Sequence, residues 1–271
     1  MKFSLSTFVY FRYSLDEAIK RTKKAGYDGV EIWGGRPHAY WEDMPDNRIK
    51  EIRKLLNDID LKISNFIPAQ FRYPTNLASS NKLIREGSVD YIKHNIEVAE
   101  KLESPYVSLC PGFSLYDDGL KNAYNSMMKS FDEIIDFSKN YKTKLIIEPA
   151  HAMETDLVLT TEDGIDIVEH FGNDKIGLCL DTGHLNVNKE NLSDVVKKVK
   201  KYDVHWHIDD NFGENDEHLI PGEGNINFEI FLEKLKESEY NGFLAVELGF
   251  GYTNDPNPSV RKSLEFLNKN I

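Results

Sequence analysis

Three short runs between residues 176 and 224 carry most of the polar chemistry in this chain. Leu180-Asp181-Thr182-Gly183-His184 ends the apolar run that begins at Ile176. His205-Trp206-His207-Ile208-Asp209-Asp210 follows, and then Asp216-Glu217-His218 with Pro221-Gly222-Glu223-Gly224 behind it. Two further carboxylates stand in matching positions: Glu148 ends Lys144-Leu145-Ile146-Ile147, and Glu247 ends Phe243-Leu244-Ala245-Val246. Carboxylates and imidazoles are the donors that a divalent ion such as Mn²⁺, Co²⁺, Zn²⁺ or Mg²⁺ takes. A carboxylate flanked by Ile147 and Pro149, or by Val246 and Leu248, has little water around it, and a buried charge needs a partner or a metal. The expectation is that Glu148, Asp181, His207 and Glu247 converge on one metal ion.

Convergence requires a fold that brings distant strand ends together. Strand-like and helix-like runs alternate along the whole chain. Strands are expected at 2–8, 29–33, 62–66, 106–109, 144–147, 176–180, 204–208 and 243–246. Helical patterns follow each of them, at 15–25, 49–59, 83–102, 120–140, 162–171, 192–202, 228–238 and 260–270. Leu15, Ala18, Ile19 and Thr22 show the helical spacing, and Gly26 is a plausible stop. Strands alternating with helices imply a parallel sheet, and eight such units in 271 residues imply a single closed (β/α)₈ TIM barrel spanning 1–271. The competing architecture is an open doubly wound sheet. The barrel is favoured because Glu31, Glu148, Asp181, His207 and Glu247 each fall at or just past a strand's carboxyl end. Those ends share one mouth only in a closed barrel.

Composition narrows the class. A net charge of −12 argues against a nucleic-acid surface, which wants clustered Lys and Arg. No apolar run approaches the ~18 residues a membrane helix needs. The first residues are too short and polar a stretch for a signal peptide and read as a strand. Cys110 and Cys179 both follow apolar stretches and are expected to be buried free thiols, which fits a cytoplasmic protein. Gly34-Gly35 and Gly222-Glu223-Gly224 match neither a Walker pattern nor GxGxxG, so no nucleotide cofactor is expected.

Other polar residues have two readings each. Trp33, Arg36, His38 and Trp41 crowd the loop after the second strand. Arg36 could hold a carboxylate or phosphate bidentately and the aromatic rings could stack on a sugar, or the loop is a rigid element that packs on a neighbouring subunit. Asp216 and His218 either brace their Gly-rich loop or touch a second metal or the substrate. His205 is expected to face away from His207 and pack against a helix. Tyr10, Phe66, Phe71, Tyr73 and Phe113 are candidates for a pocket wall, with space-filling as the alternative.

At Ile147-Glu148-Pro149, Leu180-Asp181-Thr182-Gly183-His184, His205-x-His207 and Val246-Glu247-Leu248 the chain resembles the xylose isomerase-like barrel superfamily, which includes endonuclease IV, inosose dehydratase and the ketose 3-epimerases. The likeness spans nearly the whole chain. The stretch from Gly26 to His38, the run Asp216 to Gly224 and the loop Tyr252 to Pro256 are similar to those of fructoselysine 3-epimerase. The resemblance implies that Glu148 and Glu247 act as acid and base as well as metal ligands, with Asp181 and His207 completing the set. It implies that Glu154 and His184 hold substrate oxygens. Two departures stand out. The arginine that tagatose and psicose epimerases carry six residues after the metal histidine is Gly213 here. His184, Asp216 and His218 match a third zinc site of endonuclease IV, but the histidines its first zinc needs are missing from Asn65-Phe66-Ile67-Pro68 and Leu109-Cys110-Pro111-Gly112.

The function these readings imply is a divalent-metal-dependent sugar epimerase or isomerase. A proton would leave the carbon beside a ketose carbonyl through a metal-stabilised enediolate, with two glutamates as acid and base. The alternatives are an inosose-dehydratase-like lyase and an abasic-site phosphodiesterase of the endonuclease IV kind. The expected partner is a small sugar or sugar derivative, with no nucleic acid and no membrane. A homo-oligomer is expected by analogy.

Overall fold

In the computed structural model, which describes residues 1–70 and 74–271, eight parallel strands close into a barrel. They are β1 (Lys2–Ser6), β2 (Gly29–Gly34), β3 (Lys62–Pro68), β4 (Tyr106–Leu109), β5 (Lys144–Ile147), β6 (Ile176–Asp181), β7 (Val204–Ile208) and β8 (Phe243–Val246). Each pairs with its sequence neighbours, and β1 closes the ring on β8 through Phe3 opposite Leu244 and Leu5 opposite Val246. Helices on the outside cover the strands. Leu15–Ala25 starts under the Ser14 cap and stops at Gly26, whose φ of 100° is one that a side chain would resist. Thr161–Phe171 begins with a reciprocal cap between Thr160 and Asp163. Among the described residues no helix is long and apolar enough to cross a membrane.

The barrel expected from the sequence is thus the architecture found, with local differences. The first strand ends at Ser6 rather than Phe8, because Thr7–Tyr10 turn into a 3₁₀ helix. A short helix, Thr182–Val187, follows β6 directly, where only a strand end was expected. The barrel interior is not wholly apolar. Ser4, Ser6, Glu31, Asn65, Ser108, His205 and His207 are all at most 1% exposed. Beneath the mouth, the centre of the barrel is therefore a polar layer: Glu31 Oε2, Asn65 Nδ2, Ser108 Oγ and the two imidazoles pair with one another, while Ser4 Oγ, Ser6 Oγ, Glu31 Oε1 and Asn65 Oδ1 have no hydrogen-bond partner.

Candidate active site

Register places the four expected ligands at one level. Asp181 lies opposite His207 on β6 and β7. Glu148 and Glu247 each extend the ladder by one residue beyond their strands: the Glu148 N–H donates to the Leu109 carbonyl at 3.0 Å and the Glu247 N–H to the Ile208 carbonyl at 3.1 Å. The structure brings one donor atom from each of Glu148, Asp181, His207 and Glu247 within 4.8 Å of the others. His207 Nδ1 is 2.9 Å from Glu148 Oε1, 3.0 Å from Glu247 Oε2 and 3.7 Å from Asp181 Oδ2.

Local structure aims these groups. Asp181 is the N-cap of Thr182–Val187. Its Oδ1 accepts the Gly183 N–H at 2.6 Å and the His184 N–H at 3.2 Å. With Oδ1 so occupied, Oδ2 points toward the ligand set, buried and without a hydrogen-bond partner. Gly183 is required here, since a Cβ would stand 2.4 Å from Asp209 Oδ1. A buried carboxylate oxygen with no donor, facing two other carboxylates and an imidazole, fits a divalent cation. Three carboxylate oxygens and one imidazole nitrogen are a hard-to-borderline donor set of the kind such ions take.

Above this floor opens a cavity of about 980 Å³. Glu148, Glu154, His184, Asp216, His218 and Glu247 line its polar side, while Phe8, Trp33, Ile67, Leu248 and Phe250 line an apolar one. Phe8 stacks edge-on against both Trp33 and Phe250, with ring centroids 5.2 and 4.7 Å apart. Among the described residues no Lys or Arg borders the cavity.

A second polar cluster centres on Asp216. Its Oδ2 lies 2.7 Å from His218 Nε2, 3.3 Å from His151 Nε2 and 3.6 Å from His184 Nε2. Burial alone would raise the Asp216 carboxyl, but these three imidazoles hold it well below the usual range. Burial pushes the Glu154 carboxyl up, against the pull of His184 and His151. His184 Nδ1 lies 3.2 Å from the Pro149 carbonyl, so it donates there and leaves Nε2 toward the cavity. His218 Nδ1 lies 2.6 Å from Asp209 Oδ2. Asp216 and His218 therefore both reach the cavity and tie their loop to β7.

Some candidates lie elsewhere. Arg36 is 59% exposed, spans Glu42 and Asp43, and does not border the cavity. His38 is buried against the Tyr10 and Tyr13 carbonyls at 3.2 and 3.1 Å, where it braces the turn after β1. Of that loop, only Trp33 lines the cavity. Tyr10 and Phe66 are core residues, Phe113 is not on the cavity wall, and Phe71 and Tyr73 lie outside the described residues.

The expected orientation of His205 is corrected outright. Side chains on a strand alternate with period two, so His205 and His207 share a face. Both point inward: His205 Nε2 and His207 Nε2 lie 2.8 and 3.0 Å from Glu31 Oε2. It is Trp206 between them that packs outward on Phe231, with ring centroids 5.1 Å apart. His151 was not singled out from the sequence at all. It stands in an irregular segment after Glu148, where no periodicity signals direction.

Comparison with known proteins follows the same line. Residues 19–270 match the family model described as xylose isomerase-like TIM barrel. Fructoselysine 3-epimerase of Shigella flexneri is 28% identical over 265 residues, covering 98% of this chain and 96% of that protein. The crystal structure of a D-tagatose 3-epimerase-like protein superposes with a TM-score of 0.81 at 28% identity, covering 99% of both chains. The IolI protein, whose crystal structure is described as having a binding zinc atom, shares the fold at a TM-score of 0.83 and 21% identity over 100% of this chain and 98% of its own.

Proposed function

The chain belongs to the xylose isomerase-like TIM barrel family, and from that premise we propose that it is a divalent-metal-dependent sugar epimerase or isomerase working beside a ketose carbonyl. The observation that carries this reading is the placement of two glutamates on one imidazole nitrogen, 2.9 and 3.0 Å from His207 Nδ1, at the floor of a cavity large enough for a sugar derivative. The named 3-epimerases, at 28% identity over nearly full length, support an isomerase acting on a sugar.

Glu148, Asp181, His207 and Glu247 would hold the ion, which when bound would supply Lewis-acid polarisation of the substrate carbonyl. The chain's own residues do the rest. Glu148 comes from the end of β5 and Glu247 from the end of β8, three strands apart around the ring, so their carboxylates approach a central substrate from different sides. One takes the proton from the carbon beside the carbonyl. The electron pair moves into the C–C–O system as an enediolate, and the other carboxyl returns a proton to the opposite face, which inverts the carbon. His184, with Nε2 turned to the cavity, and Glu154, whose carboxyl is pushed up by burial, are placed to bind substrate hydroxyls. Phe8, Trp33 and Phe250 give the cavity an apolar side against which the carbon face of a sugar can rest. The nuclease alternative finds no support at the ends of β3 and β4. There Gln70 Oε1 accepts the Cys110 N–H at 3.1 Å, and its Nε2 donates to the Ser108 carbonyl at 2.7 Å.

The test is a panel of ketoses and ketosamines incubated with Mn²⁺- or Co²⁺-loaded protein in D₂O and read by NMR. Deuterium is expected at the carbon next to the carbonyl, with the epimer accumulating. Glu148→Gln and Glu247→Gln should each lose about 10²–10⁴-fold in turnover while remaining folded. A dehydrated product would assign a lyase instead, and no exchange with any ketose would refute the proposal.

A further inference from the structure

We infer that Glu31, which is outside the ligand set, is the positioning residue that fixes the ring of His207 so that Nδ1 is the nitrogen offered to the metal. The inference rests on the metal site proposed above and goes beyond it in assigning which nitrogen binds and what enforces that choice.

Glu31 is fully buried on β2, on the far side of His207 from the other carboxylates. Its Oε2 is the common acceptor of three donors: His205 Nε2 at 2.8 Å, His207 Nε2 at 3.0 Å and Asn65 Nδ2 at 3.0 Å. Neutral imidazole carries one N–H and one lone pair. Both ring nitrogens of His207 face carboxylate oxygens: Nε2 that of Glu31 at 3.0 Å, and Nδ1 those of Glu148 and Glu247 at 2.9 and 3.0 Å. An ion held by Glu148, Asp181 and Glu247 would take the lone pair on Nδ1, the nitrogen on their side. The neutral ring's one proton is then on Nε2, where Glu31 accepts it and holds the ring in that orientation.

Glu31 is itself held. Asn65 Nδ2 also donates to Ser108 Oγ at 2.7 Å, which fixes the amide and so its contact with Oε2. His205 provides the shortest bond and belongs to the same strand as His207, so any shift of β7 moves both donors together. The device spans β2, β3, β4 and β7 around the barrel axis. It gives His205 and Asn65, otherwise unexplained polar groups in the barrel interior, a common task. Carboxylates that accept from the outer nitrogen of a metal-bound histidine orient the ring and raise its basicity, and losing one typically weakens metal binding about 10–100-fold.

Two measurements decide it. The first uses wild-type protein loaded with Zn²⁺ and labelled with ¹⁵N-histidine. His207 should show a metal-shifted Nδ1 and a protonated, slowly exchanging Nε2–H correlated across the bond to Glu31. A metal-shifted Nε2 would overturn the inference while leaving a metal site in place. The second is the dissociation constant for Zn²⁺ and Co²⁺, measured by competition with a chromogenic chelator, for wild type and Glu31→Gln. The substitution leaves the ring's acceptor uncharged, and affinity should fall about 10–100-fold while circular dichroism stays native. A change below threefold in a folded variant would overturn the assignment. If Glu31→Gln does not fold, the wild-type spectrum still decides. If wild type binds neither ion, the metal reading itself fails and this inference falls with it. Native metal affinity in Glu31→Gln beside full metal dependence of turnover would reject the inference alone.

Discussion

Replacing Asp181 by Asn separates two jobs that one side chain performs with two different oxygens. Oδ1 caps the helix Thr182–Val187 through the Gly183 and His184 N–H groups, and Oδ2 stands unpartnered beside the ligand set. Asn caps about as well as Asp, so Asp181→Asn should keep the cap, and metal-free stability should move by no more than about 1 kcal/mol. What it loses is an anionic donor to the ion, worth at least about 100-fold in affinity, the upper range seen when only an outer partner is removed. The consequence can be read from heat unfolding. At a metal concentration about 1,000 times its dissociation constant, wild type gains about 4.1 kcal/mol, which for a chain of this size raises Tm by roughly 8–16 °C. At the same concentration a variant about 100-fold weaker gains only about 1.4 kcal/mol, or roughly 3–6 °C. Asp181→Ala should show the same loss of metal response and an additional metal-free penalty of about 1 kcal/mol from the missing cap. Differential scanning fluorimetry with and without Mn²⁺ or Co²⁺ measures all three proteins. A full metal-induced shift in Asp181→Asn would remove Asp181 from the ligand set. Equal metal-free stability of the Asn and Ala variants would refute the division of labour between the oxygens.

Two further outcomes follow from the same geometry. His184 touches Pro149 through Nδ1 and the cavity through Nε2. His184→Ala should therefore raise KM or lower kcat while metal affinity, by chelator competition, changes less than about threefold; loss of the metal would place His184 among its ligands. Trp206 is 1% exposed and packs on Phe231 outside the barrel wall. Trp206→Ala should cost about 3–5 kcal/mol in denaturant unfolding, and a cost below about 1 kcal/mol would contradict the packing described for β7.

The barrel was legible because its strands are fully covered. A parallel strand buried on both faces reads as an apolar run, and the first polar residue after it marks the mouth. Glu148 after Ile147 and Glu247 after Val246 are of this kind, and even their ladder hydrogen bonds extend the strands by one step. Side-chain partners within the loops were not legible. Arg36 turns to Glu42 and Asp43, six and seven residues on, and His38 to carbonyls of a turn near Tyr10 and Tyr13, so neither reaches the cavity. The sequence holds no periodicity that would set these directions. Phe8 reaches the cavity wall only because the chain leaves β1 at Ser6 and coils into a 3₁₀ turn.

His205 is the instructive case, since its signal was present. Val204-His205-Trp206-His207-Ile208 is a strand whose alternate residues are polar, and in an outer-covered barrel the polar alternation can only face inward. Two imidazoles and a glutamate in the barrel's interior would be costly if left unpaired. Their pairing around Glu31 Oε2 offsets that cost for the two imidazoles and one carboxylate oxygen, and the same hydrogen bonds orient His207, the proposed metal ligand. One buried network then serves stability and ligand geometry together, so damage to it should appear in metal affinity as well as in Tm. Charge at Glu31 without its reach should not suffice: Glu31→Asp keeps the anion but draws it back by one methylene from bonds of 2.8 and 3.0 Å, and its metal affinity should fall beside that of Glu31→Gln rather than match wild type.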